Sequence, residues 1–369
     1  MMSYICSQEA GVFQHTRSLN ISSWGQSGLS EEQLGDLVRL WNTLLISMQN
    51  LASITLGLPS AAVGSTDYMF YRWAMEYSMD TQPDWMNTFV QNIGSHPTLT
   101  NFTLVVNGVL PPATFSLQPL SHLHDFSFVW DNTVPIDTGL ESEVAALIAR
   151  CHNLKRLKLQ FPYVESPHAL AGFFRGLPSL ERSLRWQQLL ITQGILVRAE
   201  DFISNKRHFQ FLEDLTLDLT IDVDREHPRH TDEVGKLFSA LCAQKIHLKR
   251  ISLTNLHPSG IVEYISSYSG LTGFPIKSHG DHRDDSPSLI HNLFIALKRH
   301  QRSLTSLSFL MNRISPCLEI PKTHISENAE SFSALEHLEI EVHTSDEDSQ
   351  RNDAGSLVGV KLKAECNNG

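Results

Sequence analysis

Histidine and aspartate crowd together at two places in this chain. The run His279-Gly280-Asp281-His282-Arg283-Asp284-Asp285 sets two imidazoles three residues apart beside carboxylates. Those residue types at that spacing could ligate a zinc ion. The run is polar throughout, however, and lies between Ser278 and Ser286-Pro287, with Pro287 suited to the first turn of a helix. It is read as a solvated loop that leads into a helix. His227-Pro228-Arg229-His230 follows a charged stretch and precedes a helix expected to be capped at Thr231-Asp232, so it is read as loop too. His122 and His124 flank Leu123 at the start of a strand pattern, where packing or exposure is expected rather than ligation. No G-x-x-x-x-G-K-[ST], G-x-G-x-x-G or G-x-S-x-G occurs, and nothing sets a serine, a histidine and an acid together. The residues therefore predict a non-catalytic protein with no cofactor and no metal.

Composition narrows the partners. With 41% hydrophobic and 19% charged residues over 369 positions, the chain is globular. Its formal net charge of -11 argues against nucleic acid, whose phosphates need a basic surface. The five cysteines are scattered and odd in number, which fits a reducing compartment, cytoplasmic or nuclear. The first residues lack a basic stretch followed by an apolar run, so no signal peptide is expected. Residues 40–63 are broken by Asn42, Gln49, Asn50 and Ser53, and read as helix, turn and strand rather than a membrane span. The glycosylation sequons at Asn20 and Asn101 fall inside expected strands and are read as chance matches. Residues 344–369 are expected to form an acidic, flexible tail behind a domain of residues 1–343.

What must position any site is a repeat. Apolar-x-x-apolar-x-apolar appears as Leu154-x-x-Leu157-x-Leu159, and again from Leu212, Leu248, Leu304 and Leu335. Weaker copies start at Thr16, Leu51, Leu99, Leu123 and Leu271. The 58-residue step from 154 to 212 leaves room for a degraded copy near Leu180, and the 48-residue step from 51 to 99 for an extra helix. Helix-like stretches fall between copies: Glu31 to Met48, Glu141 to Ala149, Val234 to Leu241 and Ser288 to Leu297. One strand–turn–helix unit cannot bury its own apolar side, so units stack and share a core. The expected fold is an α/β solenoid, a horseshoe of about ten irregular repeats with a parallel sheet on the concave face and helices on the convex face.

The pattern resembles the leucine-rich repeats, and phrases such as Cys151-His152-Asn153-Leu154-Lys155-Arg156-Leu157 resemble the repeat region of fungal F-box proteins. The family's asparagine after the strand is mostly missing; Asn255 and Asn312 stand near its place. No Leu-Pro-x-Glu-like phrase opens an F-box, so the resemblance brings in a Skp1-type adaptor only if that module is missing from this chain. It implies a protein-interaction scaffold, related to the substrate receptors of ubiquitination. The alternative is a regulator of another enzyme, a GTPase activator or inhibitor type, built on the same scaffold.

In either case the residues that alternate with the buried ones would line the concave sheet. They are Arg156, Lys158 and Gln160; Asp214, Thr216 and Asp218; Arg250, Ser252 and Thr254; Ser308; and His337, Glu339 and Glu341. A polar surface of mixed charge suits a protein partner better than a small molecule, which wants an enclosed apolar pocket. Trp130, Phe161 and Tyr163 follow the strands as anchors or as turn packing.

Overall fold

Each copy of the repeat ends apolar, other, apolar, and alternation of period two belongs to a strand with one buried side. In the computed structural model all ten copies are strands. The structure describes residues 15–21, 31–58, 84–106, 116–131, 136, 138–162, 168–177, 181–192, 194–218, 229–254, 260–278, 287–311, 332–344 and 358–365. The chain divides into two units, Met1–Trp186 and Gln187–Gly369.

In the first unit, β1 (Ser18–Ile21), β2 (Ser53–Leu58), β3 (Asn101–Val106), β4 (Asp125–Trp130) and β5 (Arg156–Gln160) form a parallel sheet in chain order. Helices α1 (Glu31–Ser47), α2 (Asp84–Gly94) and α3 (Thr138–Arg150) come between strands. A two-residue strand β6 (His168–Ala169) and helix α4 (Leu170–Phe174) follow β5. Register keeps the repeat in phase. Ile54, Phe102, Phe126 and Leu157 make one column, and Leu56, Leu104, Phe128 and Leu159 the next. All eight are buried. Phe102 stacks on Phe126 with ring centroids 6.2 Å apart, and Phe128 meets Phe161 edge-on at 5.6 Å. Each such side chain contributes about 1.5–3 kcal/mol by leaving water.

In the second unit, β7 (Gln188–Ile191), β9 (Asp214–Asp218), β10 (Arg250–Thr254), β11 (Gly273–Ser278), β12 (Ser306–Met311) and β13 (His337–Thr344) are parallel. A short strand β8 (Ile195–Leu196) and helices α5 (Ala199–Ser204), α6 (Arg229–Ala243), α7 (Ile261–Ser266) and α8 (Pro287–Leu297) lie between them in sequence, and α5 to α8 pack each on the next. Strand β14 (Val358–Glu365) returns antiparallel along β13. It falls in the stretch read as an acidic tail, whose residues 345–357 lie outside the described ones.

Two expectations shift. The copy within the 58-residue step is Trp186-x-x-Leu189-x-Ile191, which forms β7; Leu180 lies outside the described residues. Helix α6 starts at Arg229, so Thr231 and Asp232 occupy its first turn instead of preceding it. An acid is favoured there by the positive end of the helix dipole.

One backbone device recurs at the strand starts. The carbonyl after the first apolar position accepts two N–H groups from the next strand. In the first unit Thr100 O takes His124 N at 2.8 Å and Asp125 N at 3.0 Å. In the second, Lys249 O takes Thr272 N at 2.7 Å and Gly273 N at 3.1 Å. The same geometry joins Arg17, Ala52, Thr100, His124 and Lys155, and separately Gln187, Glu213, Lys249, Thr272, Thr305 and Glu336. Because main chain makes these bonds, the side chains at those positions vary freely. That is one reason the repeat is faint in sequence.

Candidate functional site

The side of each sheet opposite the core carries the alternating polar residues. The strand burial pattern shows this directly: β3, β4 and β9 alternate partly exposed and buried residues along their whole length. Among the described residues, no three His, Cys, Asp or Glu side chains converge as a metal would need, and no helix is long and apolar enough to cross a membrane. The runs 279–285 and 227–228 lie outside the described residues.

In the first unit the residues opening β3, β4 and β5 form a chain across the polar face. Asn101, with its amide nitrogen toward Asp125, donates to Oδ2 at 2.7 Å. Arg156 donates through Nε and Nη2 to the two oxygens of Asp125, a bidentate pair. That hydrogen bonding pushes the Arg156 guanidinium above its ordinary range, so it is charged at every working pH. Lys158, two residues on and half-buried, has no ion-pair partner among the described residues. Gln160 is half-buried beyond it.

The second unit repeats the order amide, aspartate, arginine at the same positions, with glutamine in place of asparagine. Gln188, Asp214 and Arg250 open β7, β9 and β10 in register. Here the chain is open. Gln188 Nε2 reaches Asp214 Oδ2 at 3.4 Å, but no hydrogen bond joins Arg250 to Asp214. Burial pushes the Asp214 carboxyl up, and the nearby Arg250 charge partly offsets that. The arm of Arg250 lies over its register partner Gly273, where a Cβ would come within 3.2 Å of Arg250 Cγ.

The remaining expected residues divide. Thr216, Asp218 and Ser252 are half-buried on the polar face. Thr254 and Ser308 are only 8% and 7% exposed, which leaves them little surface to offer a partner. His337 and Glu339 sit with Nε2 and Oε2 3.9 Å apart, and Glu341 is placed by register beside Leu310. Trp130 and Phe161 are buried, so they are packing and not anchors; Tyr163, Asn255 and Asn312 lie outside the described residues. His122 also packs, with Nε2 3.1 Å from the His96 carbonyl.

The histidines that matter to the fold were not singled out from sequence. His300 is buried, accepts the Leu271 N–H on Nδ1 at 2.9 Å, and contacts the Ile265 carbonyl through Nε2 at 3.0 Å. His96 reaches the Leu45 carbonyl at 2.7 Å. Each stands three or four residues before the first apolar position of a copy, a regularity that could have been read off His96 and Leu99, and His300 and Leu304.

A scan of the chain against protein-family models matches none, and a search of the curated proteins returns no match.

Proposed function

We propose that this chain is a leucine-rich-repeat-like solenoid that serves as a non-catalytic scaffold and binds a protein partner on the concave, polar face of its sheet. In this reading its nearest functional type is the substrate receptor of ubiquitination, as the resemblance to fungal F-box repeats implies. The observation that carries the reading is the separation of sides. In β3, β4 and β9, apolar residues fill one side of the strand while the other, polar but for Val105 and Val129, keeps partial exposure. Burying an apolar side stabilises the fold, whereas nothing in folding requires a row of Asp, Arg, Lys and Thr on the other side. Exposed polar residues on a rigid ladder suit many dispersed contacts with a protein surface.

A photo-crosslinking residue placed at Lys158 or Ser252, and as a control at Lys236 on α6, tests this in the native cell. Discrete protein adducts are expected from the sheet positions. Adducts from Lys236 alone would overturn the reading.

A further inference from the structure

The two polar chains, Asn101–Asp125–Arg156 and Gln188–Asp214–Arg250, occupy the same motif positions, yet only one closes. In the first unit the guanidinium fork is spent on Asp125. In the second the fork of Arg250 has no hydrogen-bond or ion-pair partner among the described residues, although the residue is well exposed. The reason is next door. Strand β11 presents Gly273 at that register, so the Arg250 stem settles over backbone, with an added Cβ 3.2, 3.6 and 3.8 Å from Cγ, Cδ and Nε. A guanidinium held by its stem has already given up part of its rotamer freedom, which lowers the cost of gripping an anion.

The lane beside it has a low floor and a second cation. Along β11, Gly273, Pro275 and Lys277 alternate onto one face. Pro275 offers no N–H, and the β10–β11 ladder correspondingly skips Ile251 and Ser252. Lys277 is exposed and pairs in register with Thr254, four residues beyond Arg250. Four extended residues span about 13 Å.

We infer that Arg250 and Lys277 form a two-point receptor for an extended acidic segment of a partner protein, whose carboxylates stand four residues apart and run along β11. The assignment rests on reading the sheet face as the partner site and names the chemistry of what sits there. A carboxylate fits better than a phosphate. Asp214 stands in register with Arg250 and Asp218 with Thr254, beside Lys277, so a dianion would meet a single cation and one neighbouring acid at each end. A carboxylate takes both N–H groups of the fork and carries half the charge.

The test is fluorescence anisotropy with the full chain and three labelled peptides. One has the core Glu-Ser-Gly-Ser-Glu; the second has glutamine, and the third phosphoserine, in place of both glutamates. The glutamate peptide is expected to bind in a salt-sensitive way, and the glutamine peptide not to bind. Arg250→Ala should weaken it about tenfold, and Arg250→Lys nearly as much, because the fork is lost. Gly273→Ala leaves every charge in place but displaces the arm, and should weaken binding by about threefold or more. Lys277→Ala should also weaken it, while Arg39→Ala on α1 should not. Circular dichroism confirms that each variant folds. Equal affinity for wild type and Arg250→Ala, or no binding of the glutamate peptide, overturns the inference. Markedly tighter binding of the phosphoserine peptide overturns its assignment to carboxylate. Adducts that persist at Ser252 when the glutamate peptide fails would sink this inference alone and leave the scaffold reading standing.

Discussion

A buried imidazole wedged between an N–H donor and a carbonyl has one workable protonation state. The Leu271 N–H needs an unprotonated Nδ1 on His300, and the Ile265 carbonyl needs a hydrogen on Nε2, so the neutral tautomer is fixed. Burial pulls the His300 pKa down from its ordinary 6.5; the Ile265 bond opposes this, and the Arg299 charge adds to the lowering. Tyr268, edge-on at 5.1 Å, packs against the ring and stays protonated, since burial pushes its hydroxyl up. The depressed value fixes the direction of the pH effect. The unfolded chain takes a proton near 6.5 while the folded one resists, so this stability is complete above 6.5 and lost as pH falls toward the folded value. The midpoint of thermal unfolding should therefore drop between pH 7.5 and 5.5. His300→Gln should flatten that drop while costing about 1–3 kcal/mol at neutral pH for the buried groups it leaves poorly paired. A parallel pH profile in the variant would remove His300 from the account. Cys151 is held in the opposite sense. Burial pushes its thiol up to about 11, and Sγ points at the Leu120 carbonyl at 3.6 Å. It should resist iodoacetamide in the folded chain at pH 7.5 and react only when denaturant opens the first unit, which mass spectrometry can follow.

Strands were far more legible than the turns that set them. Period-two apolar residues gave ten strands, because burial of one side is what selects a strand and is written directly into residue type. Strand β7 escaped because its first apolar place is filled by Trp186, between Arg185 and Gln187, where most copies carry leucine. Trp186 is fully buried and packs on Phe174 with centroids 5.3 Å apart. Trp186→Ala should cost about 3–5 kcal/mol, read from denaturant unfolding. A cost under about 1 kcal/mol would mean that the packing of Trp186 on Phe174 contributes little to the core. On the polar side the same measurement should give little. Arg156→Glu with Lys158→Glu removes one exposed ion pair, worth about 0.2–1 kcal/mol. It should nevertheless weaken capture of the crosslinked partner. The candidate site was half legible. The alternation named Arg156, Asp214 and Arg250, but whether an arginine is bound or free depends on which neighbour across the ladder its arm meets, Asp125 on the preceding strand for Arg156 or Gly273 on the following strand for Arg250. That neighbour lies 23 to 31 residues away and cannot be known before the register is.

Within each sheet the described interior strands bond to the strands beside them, and packed helices follow one another in sequence. Coupling in such an arrangement runs from neighbour to neighbour, so damage should fade with distance along the chain. Phe274 offers a clean place to test this. It is fully buried on β11, in register with Leu307 on β12, and the residue before it, Gly273, donates its N–H to the Lys249 carbonyl just ahead of β10. Phe274→Ala removes a large ring from the core and should cost about 3–5 kcal/mol. Amide hydrogen exchange should then speed up in β11 and in β10 and β12, the two strands that pair with it. The amides of β2, β3 and β4, which belong to the first unit, should keep their protection, since their own columns from Ile54 to Leu157 are intact. A uniform loss of protection across both units would show instead that the chain opens as one cooperative body. The neighbour-by-neighbour account, and with it the expectation that each stretch of polar face can be altered separately, would then fail.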